Sequence, residues 1–291
     1  MRIQKWLLAN TQRLYGKTVA ISGATGGLGQ ELCKYLASLG AKLVLLDRNM
    51  EKSKGVREML LKTHPRLQIS HIQVDMSDVE SVRCAVEELK REPLHLLILN
   101  AGAYSIPRCT TQEGYDNVFT INFISPYFMV RELLPHLLAC DGRVVAVGSI
   151  AHNYSKIDPE DVDFSKRERA SLVYGNAKRH MMYALHELMR DSGVPLAVTH
   201  PGIAFTGITA HYPKWLFTII KYPMKVIFMR PKKAALSILL GCFQGTPYGT
   251  WIGPRLFNIW GLPRLKKLRS AKEEERQTIY TRAEEIYEGV K

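Results

Sequence analysis

Ser22-Gly23-Ala24-Thr25-Gly26-Gly27-Leu28-Gly29 lies between the apolar run Lys17-Thr18-Val19-Ala20-Ile21 and a helical stretch that continues to Leu39. A buried strand, a glycine-rich turn and a helix, in that order, open a βαβ unit. The glycines at 23, 27 and 29 allow a tight turn and close approach of backbone to a ligand, with Thr25 and Leu28 in the same turn. The helix that follows points its first N–H groups and the positive end of its dipole at that turn, which suits a pyrophosphate.

The alternation continues downstream. Lys42 to Leu46 is a second apolar run, followed by a charged helix to about Thr63. Leu67 to Val74 and Leu94 to Leu99 read as a third and a fourth strand, separated by an amphipathic helix over Ser77 to Arg91. Gly142 to Gly148 and Pro195 to Thr199 supply two more. Strands alternating with helical stretches predict a parallel sheet with helices on both faces, a single Rossmann-type, doubly wound α/β fold. Residues 1–16 read as a tail or docking helix. Residues 17–291 then form one domain, with a late insertion over about 203–232 and a C-terminal helix over about 270–288. Ser270-Ala271-Lys272-Glu273 has the pattern of a capping box for that last helix.

Composition narrows the class. With 46% hydrophobic and 23% charged residues, the chain describes an ordinary globule that buries a large core, not a disordered segment. No apolar run reaches the roughly eighteen residues that a spanning helix needs. Trp6-Leu7-Leu8-Ala9 is too short for a secretory core. The five cysteines show no paired spacing, which predicts neither a metal site nor a structural disulfide and suits a reducing cytoplasm.

Two pairs of residues carry the chemistry. Asp47 lies at the distance, about twenty residues beyond the loop, at which a carboxylate takes the ribose hydroxyls of a dinucleotide. Arg48 follows at once and could instead pair with a 2′-phosphate. A carboxylate at that strand end repels a phosphate, so the sequence leans to NAD over NADP. Further on, Tyr174 and Lys178 are four residues apart on a helical stretch, Tyr174-Gly175-Asn176-Ala177-Lys178, and so share a face. An ammonium beside a phenol favours phenolate and lowers the Tyr pKa toward working pH, tuning it for proton transfer.

With these glycines, Asn100-Ala101-Gly102, Ser149 and the Tyr174/Lys178 pair, the chain resembles the short-chain dehydrogenase/reductase family of classical type, from Lys17 to about Gly202. Ser22 stands where that family usually has Thr, and either hydroxyl serves the turn. The resemblance implies that Asn100 to Gly102 stabilise the sheet and border the cofactor, and that Asp75, with Met76 beside it, lies near the adenine ring. It implies that Asn122 holds a water in a proton relay and that Pro201-Gly202 flank the nicotinamide. Thr206 becomes a candidate for the carboxamide. In the implied reaction Tyr174 is the general acid or base, Ser149 holds the substrate oxygen and Lys178 depresses the Tyr pKa, with NAD(P) carrying hydride. Homo-oligomers, common in the family, are a further expectation.

The late region differs in character. Between Phe205 and Ser270 there are eleven Lys and Arg and not one Asp or Glu, so much of the formal net charge of +13 belongs there. Ile203 to Arg230 is apolar, broken by Pro213 and Pro223 and studded with Lys214, Lys221 and Lys225. Its length, with His200-Pro201-Gly202 and Trp215-Leu216-Phe217, looks most like the retinol dehydrogenase and protochlorophyllide reductase-like branch of the family. That branch acts on bulky lipophilic alcohols and carbonyls. Apolar residues with interspersed lysines also suit an anionic membrane surface, whereas nucleic acid is a poor partner for a surface so rich in large aliphatics. His200 and His211 read as packing residues. The competing readings are a 3-oxoacyl or small-ketone reductase, and a cofactor-binding regulator without catalysis. Joint retention of Ser149, Tyr174, Lys178 and Asn122 argues against the second.

Overall fold

A computed structural model describes residues 3–202, 229–268 and 272–291. Eight strands form one sheet in the order β3-β2-β1-β4-β5-β6-β7-β8. They are β1 (Thr18–Ser22), β2 (Lys42–Asp47), β3 (Ile69–Gln73), β4 (Leu96–Leu99), β5 (Arg143–Val147), β6 (Leu196–Thr199), β7 (Thr250–Leu256) and β8 (Trp260–Lys267). The first seven run parallel, and β8 returns antiparallel beside β7. The helices are α1 (Ile3–Asn10), α2 (Gly27–Ser38), α3 (Met50–Thr63), α4 (Val79–Leu89), the short α5 (Asn117–Phe119), α6 (Ser125–Ala139), α7 (Ala170–Leu188), α8 (Pro231–Gly241) and α9 (Glu273–Val290).

The strand alternation sorts the core into two layers. Val19, Ile21, Leu43, Leu45 and Ile98 face one cluster, which holds residues of α2 and α8. Ala20, Val44, Leu46, Leu97 and Leu99 face the other, which holds residues of α4, α6, α7 and α9. Apolar residues on both faces of each central strand are why those strands read as continuous runs rather than alternating ones. Trp6 of α1 is buried in the first cluster and anchors that helix.

The doubly wound architecture appears as expected, with two differences. The hairpin of β7 and β8 was not anticipated, because Gly253, Pro254 and Pro263 interrupt its apolar residues and hide its period. The expected capping box does not open α9, whose N-cap is Lys272 with no side-chain cap bond. Ser270 and Ala271 lie outside the described residues, as do residues 203–228 of the expected insertion. The strand order reverses between β1 and β4, and ligands of open α/β sheets bind at such a switch point, beyond the carboxyl ends of the strands.

Candidate active site

A cavity of about 690 Å³ opens at that switch point. Its walls come from the turn after β1, the ends of β2, β4 and β5, the helix α7 and the segment after β6. The glycines of the turn have separate roles. Gly23 has φ 68°, in the left-handed region, and a Cβ there would stand 2.9 Å from Ala101 Cα. A Cβ on Gly29 would stand 2.3 Å from the Gly23 carbonyl oxygen, so this residue lets α2 close on the turn. Gly27 meets nothing within 4 Å, and its backbone borders the cavity together with Thr25 and Leu28. No acidic residue stands in the first turn of α2, and its Gly26 N-cap offers no side chain. The helix start is free to meet an anion. Cavity size, glycine cradle and uncapped helix end together fit a dinucleotide.

The loop is tied to its neighbours by side chains. Asn100 Nδ2 donates to the carbonyls of Ser22 and Gly23, each at 3.0 Å. The Ser22 hydroxyl accepts from the Asn100 and Ala101 amides at 3.1 and 3.0 Å. Ser22 thus fills the role expected of its hydroxyl. Asp47 is buried, and its carboxylate is already engaged. Oδ1 accepts from the Thr25 amide and hydroxyl, both at 3.1 Å, and Oδ2 accepts from Ser53 at 3.0 Å. Ser53 Oγ in turn lies 2.8 Å from His71 Nδ1. Burial holds His71 below the usual imidazole range, and the nearby Arg57 guanidinium adds to that effect. Arg48 has an exposed side chain at the cavity edge, 3.6 Å from Asp75. Asp75 Oδ1 accepts from the Ser77 amide and hydroxyl, and the Met76 carbonyl accepts from Ser125. Both residues line the cavity.

The opposite wall carries Ser149, Tyr174 and Lys178. Ser149, at the end of β5, hydrogen-bonds the Tyr174 phenol. Its hydroxyl also accepts from the Ala151 amide at 3.2 Å, which caps the turn that follows. Lys178 is buried, its Nζ 5.9 Å from the Tyr174 ring centroid, and donates to the Val147 carbonyl at 3.0 Å. Burial pushes its pKa down to about 8. Asn122 sits in a π-helical turn, Thr120–Ile124, between α5 and α6. Such turns often mark functional sites. Its Nδ2 donates to the carbonyls of Ala103 and Val118, both at 2.8 Å, while the buried Oδ1 has no hydrogen-bond partner among the described residues. A Cβ on Gly102 would fall 2.8 Å from that oxygen and 3.6 Å from Lys178 Nζ. Gly102 therefore keeps open the space that Asn122 and Lys178 share.

One electrostatic expectation fails. The Tyr174 pKa is not lowered by Lys178 but pushed up to about 12. Burial is the main cause; the Ser149 hydrogen bond works in the opposite direction, and the neighbouring Tyr104 phenol adds to the rise. The phenol stays protonated because taking a phenolate out of water costs more than the Ser149 hydrogen bond offsets. The Tyr104 ring stands edge-on to Tyr174, with centroids 5.3 Å apart.

The sequence and fold can be set beside known proteins. The family model for short chain dehydrogenase matches residues 17–160. Retinol dehydrogenase 11 of Homo sapiens is 30% identical over 224 residues, covering 74% of this chain and 70% of that protein. The chain belongs to the short-chain dehydrogenase/reductase family. Within this family of NAD(P)-dependent oxidoreductases it stands near the retinol dehydrogenase branch. Among solved structures, an uncharacterized protein from Mycobacterium Paratuberculosis shares the fold with a TM-score of 0.76 at 24% identity, covering 96% of each chain. A 3-oxoacyl (acyl-carrier-protein) reductase from Agrobacterium tumefaciens, solved with NADP bound, gives a TM-score of 0.64 at 20% identity, covering 83% of this chain and 91% of that one.

Of the residues singled out in the short-chain dehydrogenase sequence, the loop residues, Asp47, Arg48, Asp75, Met76, Asn100 to Gly102, Ser149, Tyr174, Lys178, Pro201 and Gly202 all border one cavity. Asn122 lies directly behind Gly102. Thr206 lies outside the described residues. Ser53 and His71 were missed. They belong to a helix and a strand that read as ordinary elements, and only the fold brings them to Asp47. Tyr104, Ile106, Ile121, Ile150 and Tyr154 form an apolar wall near Tyr174 that no motif announces.

Proposed function

We propose that the chain interconverts a bulky apolar alcohol and its carbonyl compound, with Tyr174 as general acid and base. The observation that carries this reading is the convergence of Ser149, Tyr174, Lys178 and Asn122 at an apolar-walled cavity that also holds the glycine cradle. In the reducing direction Ser149 and Tyr174 hold the substrate oxygen, and Tyr174 gives its proton to that oxygen as the carbonyl carbon is reduced. Lys178, half-titrated near pH 8, and a water that donates to the free Oδ1 of Asn122 would provide a path by which the phenol is reprotonated from solvent. Bound dinucleotide supplies the hydride and, when oxidised, a positive charge that favours the phenolate.

For the cofactor, we propose NADP(H) in place of the sequence-based lean to NAD. The lean to NAD rested on an Asp47 ready to accept ribose hydroxyls, but Thr25 and Ser53 already donate to both of its oxygens. Arg48 stays exposed at the cavity edge with Lys52 beside it, a pair suited to a 2′-phosphate. The NADP bound in the Agrobacterium reductase agrees with that choice. We therefore assign NADP(H). The apolar wall and the likeness to retinol dehydrogenase 11 favour a lipophilic substrate over an acyl thioester or small ketone.

The reading is tested by following NADPH oxidation with retinal, with a short-chain ketone and with a 3-oxoacyl thioester. Turnover of retinal with kcat/KM at least tenfold above the other two is the expected result. Preference for the thioester would replace the substrate assignment, and no turnover of any carbonyl despite bound NADPH would favour the regulator.

A further inference from the structure

Among the exposed large apolar side chains of the described residues, only Leu256 and Phe257 are neighbours in sequence, at 52% and 83% exposure. They form the tip of the β7–β8 hairpin, where Leu256 pairs with Trp260. Phe257 and Asn258 have φ of 50° and 58°, the left-handed region, which is costly for a bulky aromatic residue. The tip holds this conformation because it is braced. Lys266 Nζ donates to Asn258 Oδ1 at 2.6 Å and to the Pro254 and Arg255 carbonyls at 3.2 and 3.4 Å. The Ile259 amide donates to the Leu256 carbonyl at 2.9 Å. An aromatic ring is thus kept in water by a rigid turn rather than folded onto the domain.

The hairpin itself carries one sign of charge. Arg255, Arg264 and Lys267 are exposed on the same hairpin, and no Asp or Glu occurs from Met229 to Leu268. The tip also adjoins the cavity. A Cβ on Gly202, which lines the cavity, would lie 2.7 Å from the Ile259 carbonyl oxygen and 3.0 Å from Pro254 Cγ. We propose that this hairpin tip is a membrane-docking wedge for an anionic lipid surface. Phe257 and Leu256 enter the boundary between headgroups and acyl chains, and the exposed Arg255 and Arg264 nearer the tip meet lipid phosphates. A second copy is a poorer occupant, since a two-fold contact through this hairpin would set like charges against each other. Docking here places the rim at Gly202 against the bilayer. Exposure, backbone strain and charge define this wedge independently of the catalytic residues.

Sedimentation of the full chain with vesicles tests it, using phosphatidylcholine alone and phosphatidylcholine mixed with phosphatidylserine at low salt. The parent protein should pellet with the mixed vesicles and far less with the neutral ones. Phe257→Asp should lower its partition about tenfold or more, whereas Phe257→Leu should keep most of it. Arg255→Gln with Arg264→Gln should lower binding to mixed vesicles and flatten its dependence on salt. Circular dichroism confirms that each variant is folded. Parent and Phe257→Asp partitioning alike would overturn the proposal. So would equal binding to both vesicle types, or a parent that stays in the supernatant and forms a dimer that Phe257→Asp abolishes.

Discussion

The two sides of the cavity treat their polar groups in opposite ways. On the nucleotide side, the Asp47 carboxylate, the Asn100 amide and the Ser22 hydroxyl are all engaged by neighbouring strands and loops. On the catalytic side, among the described residues, buried Lys178 makes a single hydrogen bond to a backbone carbonyl and Asn122 Oδ1 has none, and burial pushes the Tyr174 phenol up to about 12. The first side is a finished frame that needs only a phosphate. The second keeps polar groups in a costly state, as sites of proton transfer do. Stability and chemistry are thereby divided between the two halves of one sheet.

Substitutions on the catalytic side should cost rate without much loss of binding, and these are the largest effects expected. Ser149→Ala and Lys178→Ala should each lower kcat by about 10²- to 10⁴-fold, while NADPH affinity falls far less in Ser149→Ala. Steady-state kinetics with a lipophilic aldehyde, beside fluorescence titration, checks both. If Ser149→Ala weakened NADPH binding as much as it slowed turnover, the division between the two sides would collapse.

The same contrast reaches stability through pH. Burial pushes His180, His186 and His200, all on α7 or just after β6, down to about 4. A histidine whose folded pKa is depressed contributes stability above its unfolded value near 6.5, and loses it as pH falls toward 4. The unfolding free energy from urea titration should therefore fall between pH 7 and 4.5, by up to about 2 kcal/mol for each of the three. His180→Gln should make that slope shallower.

On the nucleotide side the expected effects are steric and smaller. Gly29→Ala forces a Cβ to 2.3 Å from the Gly23 carbonyl and should destabilise the fold by about 1–3 kcal/mol, measured as a lowered Tm, with NADPH binding weakened in parallel. Smallest is Arg48→Ala, which should weaken NADPH about tenfold and leave NADH nearly unchanged. Equal loss for both cofactors would return the role to Asp47.

Much of this architecture could be read in the chain itself. The central strands are legible because both faces of each are buried, so they stand out as unbroken apolar runs such as Val19-Ala20-Ile21 and Leu43-Val44-Leu45-Leu46. The β7–β8 hairpin is not legible, since its glycine, prolines and basic residues erase the alternation that would mark it. Site residues tied to local motifs, such as Gly23 and Tyr174, were readable. Ser53 and His71 were not, because their meaning lies in a chain of contacts to Asp47 that joins three separate elements. The Tyr174 pKa was misjudged for a similar reason. Helical spacing shows that Lys178 is near, but not how closely the half-buried phenol is packed about by Tyr104 and the rest of the cavity wall.

The role proposed for Tyr174, moving the proton in an NADP(H)-dependent reduction, can be addressed directly with one variant. Tyr174→Phe keeps the ring and its packing against Tyr104 and removes only the hydroxyl. The account predicts that this variant binds NADPH as the parent does and reduces retinal at least about a hundredfold more slowly. Turnover at the parental rate, with the cofactor bound, would contradict it.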